Sequence, residues 1–176
     1  MEEIERTYLA KNLPSGILES PSKEVLDIYL PSSAVHPGLR IRKSGDKCDI
    51  TKKRPLKEGD SSYQLETTVP LTHEEYLEIS TLPGKRIRKI RYYYEQDRFN
   101  YEVDVFKDSL EGLVLVDIEF KTVEEKDSFA MPDFCLREVT QEAFIAGGMV
   151  CGKKYSDLEG DLERFGYKPL FLNSNS

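Results

Sequence analysis

The chain has little of what most metal and redox chemistry is built from. Among its 176 residues there are three cysteines and two histidines. Cys48, Cys135 and Cys151 lie far apart with no C-x-x-C pair, which argues against a zinc site of the cysteine and histidine type. An odd number of thiols fits a reducing compartment, and the expected location is the cytoplasm. His36 precedes a Pro-Gly turn and His73 falls in the first turn of an expected helix, so both read as structural or exposed. Positive charge is also in deficit: the formal net charge is −7, which argues against a broad nucleic-acid-binding surface. Long apolar runs are missing as well. The longest aliphatic run, "LVLV" at 113–116, cannot cross a bilayer, and the acidic N-terminus lacks the apolar stretch of a secretory leader. These absences predict a soluble monomer or homodimer that engages neither a nucleic-acid polymer nor a membrane.

What the chain has in abundance is charge, 32% of residues, beside 39% hydrophobic residues. That balance suits one domain over residues 1–172, with "NSNS" at 173–176 expected as a frayed tail. Eight stretches carry strand-like alternation: "IERTYLA", "EVLDIYL", "LRIRK", "KCDITKK", "YQLETTVPL", "RIRKIRYYYEQ", "FNYEVDVFK" and "LVLVDIEFK". Turn punctuation such as "KSGD", "KEGD", "QDR" and "SLEG" separates them, so sequential neighbours are expected to pair as hairpins. Helices are expected at "HEEYLEIS" and "TVEEKDSF", through T-x-x-E capping boxes of Thr72 with Glu75 and Thr122 with Glu125. Two further helices are expected at "TQEAFIA" and "YSDLEGDLERFG". The fold class is mainly β with peripheral helices (α+β), in the form of an eight-stranded antiparallel β-barrel.

The opening "EIERT" places Glu3 and Glu5 on one face of a strand, where like charges repel unless a cation joins them. The same spacing recurs in six further pairs: Arg40 with Arg42, Thr51 with Lys53, Gln64 with Glu66, Lys89 with Arg91, Glu102 with Asp104, and Asp117 with Glu119. Any one pair fits a solvated sheet face. Together, with apolar residues on the opposite face and helices available to cover it, they place the apolar side outside and the charges in a tunnel. A charged interior must be paired or filled. Arginine and lysine suit phosphoryl oxygens, and clustered carboxylates suit Mg²⁺ or Mn²⁺, so a metal-chelated polyphosphate satisfies both.

These residues resemble the triphosphate tunnel metalloenzymes, the CYTH superfamily, whose N-terminal signature is E-x-E-x-K. The likeness runs in order through "EIERTYL", "DIYL", "LRIRKSGDKCDITKK", "KIRYYYE", "YEVDVF", "GLVLVDIEF" and "PDFCLREVT". It implies a tunnel that holds a triphosphate and one or two divalent metals. By the resemblance, Glu3, Glu5 and Glu119 are metal ligands supported by Asp117. Arg40, Arg42, Lys53, Lys89 and Arg91 bind the phosphate chain, and Glu66 and Glu102 hold a second metal or orient the attacking water. The implied activity is Mg²⁺- or Mn²⁺-dependent hydrolysis of tripolyphosphate or a related triphosphate, as in the short bacterial triphosphatases. The chain departs from the pattern at Thr7, where the signature has lysine, at Gln64, often acidic, and at Asp117, often glutamate. A class IV adenylyl cyclase, a non-catalytic polyphosphate-binding module and a plain barrel scaffold are the alternatives.

Overall fold

Period-two alternation with charge on one face and aliphatic or aromatic residues on the other can be satisfied by a closed sheet whose charged face turns inward. The computed structural model, which describes residues 2–57 and 59–172, has this form. Its strands are β1 (Glu2–Ala10), β2 (Ser22–Leu30), β3 (Leu39–Ser44), β4 (Lys47–Pro55), β5 (Tyr63–Leu71), β6 (Lys85–Gln96), β7 (Phe99–Phe106), β8 (Val114–Phe120) and β9 (Cys135–Glu138). The order is β5-β4-β3-β2-β6-β7-β8-β1-β9, with β5 also paired to β1, so eight antiparallel strands close into a barrel. The expected tail at 173–176 lies outside the described residues, as do Met1 and Glu58 of the "KEGD" turn.

Short turns do make hairpins. Gly45, at φ 58°, turns β3 into β4, and Asp97 and Arg98, both at positive φ, turn β6 into β7. Two expected neighbours do not pair. β1 runs beside β8 and β5 instead of β2, and β2 pairs β6 along eight register positions, from Ser22 opposite Tyr92 to Tyr29 opposite Lys85. Between β1 and β2 the chain makes a 3₁₀ turn (Ile17–Glu19), and between β5 and β6 it makes helix α1 (His73–Ile79). Both connections are too long for a tight turn. The ninth strand also departs from the expected eight: β9 adds to the second half of β1, opposite Tyr8–Ala10, while β5 takes the first half, opposite Glu2–Ile4.

The apolar side is outside, as the alternation predicts. Ile28, Ile41 and Cys48 form one outer cluster beneath Tyr76 of α1, a helix with the full Thr72/Glu75 capping box. Tyr8, Tyr101, Val103, Val116 and Ile118 form a second, packed with Phe129 and Phe134. Phe129 follows helix α2 (Val123–Ser128), where only half of the expected box is present. Thr122 accepts from Glu125 N, but the Glu125 carboxylate turns to Lys121 N at 2.9 Å. "TQEAFIA" also departs from expectation. Only Ala143–Ile145 coil, as one 3₁₀ turn, because Thr140 and Gln141 spend their side chains on Thr7 N and Ser61 N across the molecule.

The inner face is not charged throughout. At one end Leu9, Tyr29, Ile87, Phe106 and Leu115 turn inward and pack with Leu113, Ile145, Val150, Leu158, Leu162 and Tyr167. The last three belong to, or follow, helix α4 (Tyr155–Glu163), and Val150 ends the short helix α3 (Gly147–Val150). α3 lies so close to the barrel that a Cβ on Gly147 would collide with the Tyr29 hydroxyl. The barrel is therefore a cup with an apolar floor.

Leu158 is fully buried in that floor. Leu158→Ala should lower unfolding free energy by about 2–5 kcal/mol through lost burial and the cavity it leaves. Urea unfolding with an unchanged denaturant slope is the check; a loss below ~0.5 kcal/mol would mean that α4 does not seal the barrel.

Candidate active site

Strand registry fixes which charges meet. Around the inner wall, β5 brings Gln64 and Glu66, β1 brings Glu3, Glu5 and Thr7, β8 brings Glu119 and Asp117, and β7 brings Glu102 and Asp104. Glu3 lies opposite Gln64, Glu5 opposite Glu119, and Asp117 opposite both Thr7 and Glu102. These four adjacent strands form an acidic wall. The facing wall is basic: β6 brings Lys89 and Arg91, β3 brings Arg40 and Arg42, and β4 brings Lys53. Arg91 is opposite Asp104, Arg40 opposite Thr51, and Lys53 opposite Glu66. All eleven residues singled out from the sequence thus share the inner face, sorted by sign.

Two buried aspartates hold the basic wall in place. Asp27 of β2 receives Arg42 Nε and Nη2, each at 2.7 Å. Asp104 receives Arg91 Nε and Nη2, again at 2.7 Å, and is ion-paired to Lys89. Arg91 also reaches Glu102 and stands 3.7 Å from Asp117 Oδ2. Burial by itself raises an aspartate's pKa, yet Asp27 is held below the usual carboxylate range because Arg42 outweighs that penalty. Arg91 and Lys89 do the same for Asp104, and more strongly. Burial moves Lys89 the other way, pushing its ammonium down against the pull of Asp104. Arg40 differs from both other arginines: its Nε is buried and bonds to nothing among the described residues.

The acidic wall is knitted by one lysine. Lys53 is ion-paired with Glu3, and its Nζ lies 3.4 Å from Glu5 Oε1 and 3.6 Å from Glu66 Oε2. Gln64 Nε2 donates to Glu5 Oε1 at 3.3 Å and to Ser61 O at 2.8 Å. Burial is the main reason that Glu5 is pushed up to about 7; Lys53 works against it, while Glu3 and Asp117 add to it. Glu102 and Glu119 are also raised, chiefly by burial. Glu66 is lowered despite burial, by Thr68 and Lys53. Thr7 Oγ1 donates to Asp117 Oδ1 at 2.7 Å, so a hydroxyl occupies the site of the signature ammonium.

The donors suit a hard divalent cation, being carboxylate oxygens throughout, and Glu3 Oε2 is buried without a well-formed hydrogen bond although Lys53 is its ion-pair partner. Glu5 and Glu119 face each other in the ladder. In this conformation, however, no three acid side chains among the described residues are gathered at metal-binding spacing. Lys53 draws Glu3 and Glu5 to itself. The convergence of Glu3, Glu5 and Glu119 expected from the sequence is therefore incomplete.

Asp27 is not among the site residues expected from the sequence. Its signal was a lone acid in the apolar stretch "VLDIYL", in phase with Val25 and Tyr29, which a buried ion pair explains. Gln64 and Thr7 contribute donors where the pattern has charges, which strand alternation does not reveal.

No protein-family model matches the chain. It is 31% identical over 143 residues to an inorganic triphosphatase of Nitrosomonas europaea, covering 81% of this chain and 91% of that protein. To an inorganic triphosphatase of Acetivibrio thermocellus it is 28% identical over 144 residues, covering 79% and 86%. In fold it is similar to the crystal structure of an inorganic triphosphatase, with TM-score 0.61 and 24% identity over 85% of this chain and 93% of the other.

The lowered pKa of Asp27 makes its contribution to stability present above the unfolded-state value near 3.8 and lost as pH falls through the lower folded-state value. Asp27→Asn leaves Arg42 buried without its counter-charge and should cost about 3–5 kcal/mol at neutral pH. Urea midpoints of the two proteins should converge progressively below about pH 4. A constant gap down to pH 2 would show that the carboxylate's charge is not what matters.

Proposed function

The chain belongs to the triphosphate tunnel metalloenzymes, the CYTH superfamily, and on that premise we propose that it hydrolyses inorganic tripolyphosphate or a related triphosphate in the barrel with Mg²⁺ or Mn²⁺. The observation that carries this is the opposition of the two walls. A triphosphate between them meets guanidinium and ammonium groups on one side, and carboxylates that demand a cation on the other.

Arg42 and Arg91 are preorientated by their aspartates, so each presents its remaining N–H groups without paying much side-chain entropy on binding. Arg40 offers a buried Nε donor that has no partner among the described residues. Lys89, beside Asp104 and Arg91, adds charge deeper in the cup. Glu3, Glu5, Asp117 and Glu119 would hold the metal, which when bound supplies Lewis acidity and neutralises phosphoryl charge. Glu66 and Glu102 stand at the edge of both walls, where a carboxylate can accept a hydrogen bond from water and aim its oxygen at the terminal phosphorus. Water adds to that phosphorus, the P–O bond to the rest of the chain breaks, and tripolyphosphate yields pyrophosphate and phosphate. Such a transfer asks the protein for alignment and charge stabilisation, so histidine is not needed. The apolar floor sealed by α4 excludes water from one end and strengthens every charge interaction above it.

The test is phosphate release from tripolyphosphate, nucleoside triphosphates and thiamine triphosphate, each with Mg²⁺ or Mn²⁺. Glu5→Gln should cut release by more than the roughly 10–100-fold typical of losing an outer-shell group, with an unchanged circular dichroism spectrum. Retained rates at equal metal concentration would remove Glu5 from the site. Cyclic AMP formed from ATP without phosphate release would instead favour the cyclase alternative.

Thr7→Lys restores the signature charge beside Asp117. A charge-assisted hydrogen bond contributes about 1.5–3 kcal/mol, so kcat/KM for tripolyphosphate should rise about tenfold or more. An unchanged or lower value would show that the Thr7–Asp117 hydrogen bond is itself adapted to the substrate.

A further inference from the structure

Lys53 belongs to the basic wall by its strand and to the acidic wall by its contacts. Arg42 and Arg91 each have an aspartate of their own, Asp27 and Asp104. Lys53 reaches over to Glu3, Glu5 and Glu66. Among the described residues no other cation lies within ion-pair distance of Glu3 or Glu5. One ammonium therefore gathers carboxylates from two strands, β1 and β5, that would otherwise repel each other.

Of these carboxylates Glu3 and Glu5 are the ones assigned above to a hard divalent ion, and a lysine ammonium cannot share their oxygens with such an ion at close range. The two positive charges would face each other in a partly buried site, where charge interactions are several times stronger than in water. A lysine, unlike a metal, is tethered by a flexible four-carbon stem and can withdraw without leaving the cup. Its side chain is partly exposed, so withdrawal does not require the wall to open.

We infer that Lys53 is a tethered stand-in for the divalent ion: it holds Glu3, Glu5 and Glu66 together until the ion binds, then releases its ammonium toward the phosphate chain. The inference rests on the proposal that Glu3 and Glu5 hold the metal. It deepens that proposal by making metal loading and the gain of a phosphate-binding cation one event. Metal and triphosphate then favour each other beyond their direct contact, and by linkage the effect is reciprocal.

The test uses the wild-type protein with Mn²⁺ alone, without triphosphate. Brief acylation with an amine-reactive ester, read residue by residue by mass spectrometry, should modify Lys53 several-fold faster when Mn²⁺ is bound, because the displaced ammonium is no longer clasped. Titration of Mn²⁺ by its paramagnetic resonance signal should give at least tenfold tighter binding to Lys53→Met, and an unchanged affinity for Lys52→Met, whose side chain lies exposed on the outer face. Equal or slower acylation of Lys53 at Mn²⁺ saturation would overturn the inference whether or not Lys53→Met folds, as would equal or weaker Mn²⁺ binding by a folded Lys53→Met. If Mn²⁺ binds and tripolyphosphate is hydrolysed while Lys53 stays unreactive, the stand-in role alone fails. If the wild-type protein binds no Mn²⁺, the metal site fails with it.

Discussion

The pairing of Arg42 with Asp27 and of Arg91 and Lys89 with Asp104 is the interaction on which the rest of the architecture depends. A barrel that turns arginines inward must supply their counter-charges from within, since each unpaired buried charge costs several kcal/mol. Once the inner face is committed to charge, the aliphatic and aromatic residues of the same strands have to lie outside. Outside they need cover, which α1 supplies on one flank and Phe129 and Phe134 on another. The position of the helices is in this sense a consequence of two aspartates that never touch them.

The same pairs divide the cations by function. A guanidinium gripped through two nitrogens keeps its remaining donors in a fixed direction, whereas an ammonium surrounded by three carboxylates has no single direction. The basic wall therefore contains rigid members and one adaptable member. The departures at Thr7 and Gln64 follow a related logic. Each puts a neutral donor where the pattern has a charge, and each donates to a carboxylate of the acidic wall, but the signs are opposite: Thr7 in place of lysine gives up pull on an anionic substrate, whereas Gln64 in place of an acid eases repulsion beside Glu5.

Much of this was legible in sequence because a strand's period of two is rigid. If Arg40 faces inward, so must Arg42, and the eleven site residues could be assigned to one face before any pairing was known. The closing of the sheet followed from the number and spacing of the strands. Order was less legible, since β2 beside β6 and β1 beside β8 are set by connections whose length forbids hairpins, and no local pattern names the distant partner. Nor was the ninth strand: "CLRE" is four residues that become a strand only because β1 has a free edge at Tyr8–Ala10. The segment "TQEAFIA" has helix-forming composition, but long-range hydrogen bonds from Thr140 and Gln141 outweigh a propensity worth a fraction of a kcal/mol per residue. Which carboxylate grips which cation depends on rotamers across strands, and alternation is silent about that.

The division of β1 between two partners has a mechanical corollary. Among the described residues three positions, Glu2, Glu3 and Ile4, join it to β5, against eight between β2 and β6, so the shortest of the barrel's described joins runs beside Glu3 and Glu5. Backbone amides along that join should be the first of the barrel to exchange with solvent. Whatever ties the Glu3 and Glu66 side chains together also rivets this join from inside. The contents of the cup and the integrity of its wall are therefore not separate properties of the protein.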